Sequence, residues 1–247
     1  MKLPTRIVEK PWGRTDIPAE FGDMGGRKIG EIWFEDPDGD AAALMVKFLF
    51  TSERLSVQVH PDDTAARASG YPRGKEECWL VLAAEEDAEL GVGLLKDSDV
   101  STLRGAALDG SIEQMIDWRP ASVGDFVYNR AGTIHAMGAG VTVVEVQQNV
   151  DCTYRLYDYG RLDNGQVRAL HLDDGLAVLS TTKHHEPRDC TVPQSGTVKL
   201  VDGPHFHLVR ATGPIDPLAD TAIWPSALFG PITVTPLSAG CTIGDDP

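Results

Sequence analysis

The chain has 247 residues, 42% of them apolar and 24% charged, with 37 Asp and Glu against 22 Lys and Arg and a formal charge of −15. That length buries a sizeable core in one large domain or two small ones, and the acidic balance excludes a nucleic-acid partner, which needs a basic surface. No run of about eighteen apolar residues spans a membrane, and Met1-Lys2-Leu3-Pro4 lacks the apolar stretch of a secretory signal.

The opening, Lys10-Pro11-Trp12-Gly13-Arg14, reads as turn-rich, and the first probable strand is Gly30 to Glu35. Ala43 to Phe50 is an apolar run of strand length. Leu55-Ser56-Val57-Gln58-Val59-His60-Pro61 has β-propensity and places Gln58 and His60 on one face. Pro61-Asp62-Asp63 suits the first turn of a short helix, which Gly70-Tyr71-Pro72 ends. Cys78 to Ala83 and Ala88 to Leu94 read as strands. Lys96 to Trp118 has the spacing of two short helices, with Val100, Leu103 and Ala107, then Ile112, Met115 and Ile116. Val123 to Tyr128, Thr133 to Met137 and Gly140 to Gln148 return to strand character. The period of two sets Val143, Glu145 and Gln147 on one face of the last of these.

Many short strands joined by Gly and Pro turns predict a mainly β protein, a barrel or sandwich with short inserted helices. Residues 1–180 form its catalytic domain, with the helical insert near 97–118. The polar stretch 181–195, including His184-His185, reads as an exposed linker, and 196–247 as a small C-terminal β-subdomain. The four cysteines, Cys78, Cys152, Cys190 and Cys241, are scattered without a CxxC pair and read as reduced thiols of a cytoplasmic protein.

Gln58, His60, Glu77 and His135 offer two imidazoles, a carboxylate and an amide oxygen. This mixed set suits a divalent ion of the zinc kind with coordination positions left open, which is a catalytic arrangement. Glu76 replaces Glu77 if the strand register slips by one.

Around His135 the spacing Gly124, five residues, Arg130, Ala131, Gly132, two residues, His135 resembles the second cupin motif, with Arg130 where Pro is usual. Gln58-Val59-His60-Pro61, Lys75-x-Glu77, Gly132-Thr133-Ile134-His135-Ala136 and Tyr154-Arg155-x-Tyr157-Asp158 occur in that order in the type I phosphomannose isomerases. The chain resembles their short bacterial form over roughly residues 5 to 180. The resemblance implies a cupin jelly-roll barrel in which Gln58, His60, Glu77 and His135 bind one zinc ion. It also implies catalytic roles for Lys75, Glu145 and Arg155, and interconversion of mannose 6-phosphate and fructose 6-phosphate through an enediol. The ending at Gly244-Asp245-Asp246-Pro247 implies an incomplete second barrel. The phosphosugar would be met by Arg155, Arg161 or Lys75. Two rivals remain: an isomerase of another phosphosugar, and a sugar-sensing cupin without chemistry. An iron oxygenase fits the Gln and Glu ligands less well. Oligomeric state is not encoded in these motifs.

Overall fold

The computed structural model describes residues 4–35, 39–163, 165–193, 195–211, 222–226 and 230–236. In chain order the strands of its first part are β1 (Thr5–Arg14), β2 (Ile29–Phe34), β3 (Leu44–Phe50), β4 (Val57–Val59), β5 (Glu77–Ala84), β6 (Glu89–Leu94), β7 (Ile116–Pro120), β8 (Asp125–Asn129), β9 (His135–Met137), β10 (Val141–Gln148) and β11 (Tyr154–Tyr157). A two-residue hairpin, β12 (Leu162–Asp163) and β13 (Gln166–Val167), and β14 (Cys190–Thr191) follow. The helices are α1 (Asp63–Ala68), α2 (Val100–Asp109) and α3 (Leu172–Val178).

Seven strands form one sheet in the order β1-β2-β3-β10-β5-β8-β14, and five form a second in the order β11-β4-β9-β6-β7. Alternation along β10 explains how the sheets stack. Val144 and Val146 point outward into a cluster with Phe48, Phe50, Cys78, Leu80 and Tyr128. Val141 and Val143 point inward to Trp79, Val81, Leu90, Val92 and Met137, closing one end of the space between the sheets. The next inward positions of the same strand are Glu145 and Gln147, so the other end of the interior is polar. That polar end holds the candidate site. The second sheet is covered on its outer face by α2 and α3, which bury Leu103, Ala107 and Leu176 against Val57, Val59 and Ile134.

Three sequence expectations change. Lys10 to Arg14, read as a turn, lies at the end of β1. β1 is the outer strand of its sheet, and its pairing with β2 skips from Glu9 to Arg14. The missing N–H of Pro11 therefore breaks no ladder. Ile116 to Trp118, read as helix, is strand β7: Gly110 at φ 85° ends α2, and a 3₁₀ turn over Ser111–Met115 supplies the remaining helical spacing. The stretch read as an exposed linker contains β14, whose Cys190 and Thr191 pair with Phe126 and Asp125. Its His184 is tucked in, its side chain only 8% exposed.

Beyond it, β15 (Thr197–Asp202), β16 (Phe206–Ala211), β17 (Ala222–Ser226) and β18 (Gly230–Pro236) form a four-stranded sheet in the order β15-β16-β18-β17. Leu200, Val201, Phe206 and Leu208 from this sheet join the outward cluster of β5, β8 and β10.

Candidate metal centre

Three ligand-type side chains converge from separate elements. Gln58 on β4 is the direct cross-strand partner of His135 on β9. His60 lies just past β4, where Pro61 begins the approach to α1. Its carbonyl accepts the Gly132 N–H at 2.8 Å, which ties the two histidine segments together. Glu77 opens β5, and Lys75 before it donates its backbone N–H to the Pro61 carbonyl at 3.0 Å. One ligand atom from each of His60, Glu77 and His135 falls within 4.8 Å of the others, all three side chains being buried.

The imidazoles are oriented by the main chain. His60 Nδ1 lies 3.0 Å from the Cys152 carbonyl and His135 Nδ1 2.8 Å from the Thr133 carbonyl. Each Nδ1 therefore carries the proton and donates it, leaving Nε2 as a lone-pair donor, the arrangement metal-binding histidines use. Glu77 Oε2 is 3.2 Å from His60 Nε2, and Oε1 is 3.5 Å from His135 Nε2. Neither carboxylate oxygen has a well-angled hydrogen bond; the Lys75 ammonium lies against Oε2, which leaves buried Oε1 as the lone pair that a metal cation would satisfy. Gln58 presents its amide nitrogen to His135 Nε2 at 3.3 Å and its oxygen to Ser56 Oγ at 3.2 Å. Rotating the amide by a half-turn exchanges its two ends and brings the oxygen to the same spot. The donor set fits a divalent ion of zinc type.

Lys75 Nζ sits 2.9 Å from Glu77 Oε2 and 3.0 Å from His60 Nε2. Burial and the Lys75 ammonium push the His60 pKa down to about 3, against the opposing pull of Glu77. Burial likewise lowers His135. Burial works to raise Glu77, but Lys75, His60 and His135 outweigh it and hold the carboxyl well below its ordinary range. At neutral pH the group is thus two neutral imidazoles and one carboxylate, each in its metal-binding form.

Above it opens a cavity of about 870 Å³ lined by Gln58, Lys75, Trp79, Glu145, Gln147 and Arg155 among others. Register explains its polar wall. Trp33, Lys47, Glu145 and Trp79 form one row across β2, β3, β10 and β5. Met45, Gln147, Glu77 and Asn129 form the next row. Glu145 is 3% exposed. It receives Lys47 Nζ at 2.9 Å and the Trp79 indole N–H at 3.1 Å. Burial and the nearby Glu77 charge raise its pKa, and Lys47 and Lys75 only partly offset them. Arg155, on β11 opposite Gln58, is half-buried and lines the cavity. Among the described residues no ion pair holds it.

The sequence thus brings Gln58, His60, Lys75, Glu77, His135, Glu145 and Arg155 to one place. Glu76 is separate: it accepts a hydrogen bond from the Tyr128 hydroxyl on the other face of β5. Arg161 is also elsewhere, held by Asp158 at 3.1 Å and by the Arg54 carbonyl at 2.5 Å. Lys47 was missed as the direct cation beside Glu145, as was Glu31, 3.8 Å from Lys47. Both are charged residues inside apolar strands, Leu-Met-Val-Lys-Phe-Leu-Phe and Ile-Gly-Glu-Ile-Trp-Phe. An unexplained charge at an inward strand position was the available signal.

No family model matches the chain. Against individual proteins, it is 31% identical over 244 residues to the mannose-6-phosphate isomerase of Streptococcus mutans, a match covering 84% of this chain and 77% of that protein. The chain belongs to the mannose-6-phosphate isomerase family. Its match to another member, ManA of Bacillus subtilis, is 35% identical and takes in 68% of this chain but 58% of that longer protein. The crystal structure of a Bacillus subtilis mannose 6-phosphate isomerase superposes with a TM-score of 0.78 at 26% identity, covering 95% of this chain and 92% of that one. The cupin-like barrel of the family is therefore the fold of this chain.

Proposed function

We propose that the protein is a zinc-dependent isomerase that interconverts mannose 6-phosphate and fructose 6-phosphate in the cytoplasm. The observation that carries this reading is a buried His60–Glu77–His135 group touched by Gln58 and Lys75, two residues that line a cavity together with Glu145 and Arg155. The names and substrate of the relatives support it, and the free thiols of Cys78, Cys152 and Cys190 fit a reducing compartment.

In this reading His60, Glu77, His135 and the Gln58 carbonyl would hold one zinc ion, and the chemistry it would supply is Lewis-acid polarisation. Aldose-to-ketose conversion removes the proton from C2, passes through an enediol, and returns a proton to C1. Glu145, whose pKa is raised by burial and the Glu77 charge, serves as the base that takes and returns that proton. Lys47 keeps the carboxylate available and Trp79 fixes its position. Lys75 neutralises Glu77 and presents an ammonium to the developing oxyanion. Arg155, with no ion pair among the described residues, is the phosphate ligand, its planar fork matching two phosphate oxygens.

A coupled assay on mannose 6-phosphate tests this, with and without a chelator and with zinc restored. Turnover should vanish on chelation and return with zinc. Undiminished isomerisation in metal-free protein would refute the mechanism. Binding of mannose 6-phosphate without exchange of its C2 proton would replace the enzyme with a sugar sensor.

A further inference from the structure

Gln147 is 2% exposed, yet it lines the cavity. Its amide nitrogen donates to the carbonyls of Gln148 at 3.1 Å and Val150 at 3.2 Å. Two carbonyl acceptors fix which end of the amide is nitrogen, so the oxygen is the end left over. That oxygen is buried without a partner. The adjacent Gln148 shows the contrast: its oxygen accepts from Glu76 N–H at 2.9 Å and its nitrogen donates to Asp63 at 3.0 Å. Asn129 is also buried with an unpartnered amide, but it does not line the cavity.

The position of the Gln147 oxygen is specific. Its residue is the cross-strand partner of Glu77 and stands two residues beyond Glu145 on the same inward face. It is neutral and can only accept. A phosphate, itself an acceptor, gains nothing from it; a hydroxyl does. The oxygens on C1 and C2 exchange protons during isomerisation, so the next hydroxyl along the carbon chain with a proton to commit is the one on C3. We propose that Gln147 is a specificity-determining residue whose carbonyl oxygen accepts a hydrogen bond from the 3-hydroxyl of the phosphosugar. This rests on the isomerase reading above.

The test uses the zinc-loaded enzyme with mannose 6-phosphate and its 3-deoxy, 3-deoxy-3-fluoro and 4-deoxy analogues. Fluorine keeps the size and accepting character of a hydroxyl but has no proton to give. Wild-type kcat/KM should fall roughly tenfold or more on both 3-substituted analogues, a lost hydrogen bond to an otherwise unpaired buried group, and less on the 4-deoxy sugar. Gln147→Met should lose the same factor on mannose 6-phosphate and then no longer distinguish it from the 3-deoxy sugar. Thermal melting and metal content show whether that variant folds. Should it not fold, Gln147→Glu keeps an oxygen at the position and should retain the discrimination. The proposal is overturned if wild type turns over the 3-fluoro sugar as well as the parent. It is equally overturned if Gln147→Met loses activity in parallel on parent and 3-deoxy sugar, or if a folded Gln147→Glu loses the discrimination. A wild-type protein that neither binds nor isomerises mannose 6-phosphate would overturn the isomerase reading itself; normal wild-type turnover with no coupling overturns only the role of Gln147.

Discussion

Glu145 and Arg155 separate chemistry from binding, because the structure gives them opposite surroundings. Glu145 is fully enclosed, holds Lys47 and Trp79, and has a raised pKa. Replacing it with Gln keeps the shape and removes the proposed base. Glu145→Gln should therefore retain zinc, measured by metal analysis, and bind mannose 6-phosphate, while kcat collapses; near-normal kcat would move the base elsewhere, with Lys75 next in line. Arg155 is half-buried and lines the cavity. Arg155→Ala should leave metal content unchanged and lower kcat/KM by roughly 10² to 10³, about 2–4 kcal/mol of transition-state binding. Lys at this position should restore only part, since a point charge lacks the guanidinium fork. Unaltered kinetics for Arg155→Ala would remove it from the phosphate site.

Strands and turns decide whether those residues meet, and here the sequence was readable in some places and not others. The period of two placed Glu145 and Gln147 inward, and Glu77 rather than Glu76 faces the metal group because β5 runs in the expected register. The pairing of β3 with β10 is non-local, so nothing in the sequence near Lys47 announced that it would lie opposite Glu145. Lys47→Met should leave Glu31 and Glu145 buried without their shared cation, and breaking such a pair typically costs about 3–5 kcal/mol. Chemical denaturation should show that loss together with a further rise in the Glu145 pKa; an unchanged midpoint would mean the two carboxyls simply take up protons at no cost. The His135 turn depends on Gly132, whose φ is 82° and whose missing Cβ would lie 2.9 Å from the Val178 carbonyl. Arg130, in the slot where the cupin motif that this segment resembles has Pro, is paired with buried Glu186. Gly132→Ala should destabilise by about 1 kcal/mol or more and weaken zinc binding by shifting His135, both readable by melting and metal titration. Full zinc affinity in that variant would show that the turn tolerates the added Cβ.

At the level of the whole molecule, the metal group and the fold are linked through protons. The distant C-terminal strands add their core residues to the outer face of the sheet that carries Glu77 and Glu145, so unfolding this sheet exposes the site. The sequence showed the ligand types, but not that burial would drive the histidines toward the neutral form, because burial is a property of the assembled sheets. His60 has a pKa near 6.5 in an unfolded chain and about 3 in the fold, and His135 is shifted the same way. Between those values the unfolded chain binds a proton that the folded chain does not, so stability rises with pH. Its contribution is complete above about pH 6.5 and is lost as the pH falls toward 3, at a slope of up to about 1.4 kcal/mol per pH unit for each histidine. Glu77 adds to the trend at more acid pH, since its lowered pKa also makes the folded state the weaker proton binder. Zinc, if held as proposed, would compete with protons for the same lone pairs at the folded site only, so it should raise the melting temperature. Metal-free protein should thus lose melting temperature steadily below pH 6.5. Zinc-loaded protein should hold its melting temperature to lower pH before falling, and His135→Ala should remove most of the difference between the two curves. Coincident curves with and without zinc would show that these histidines do not bind it.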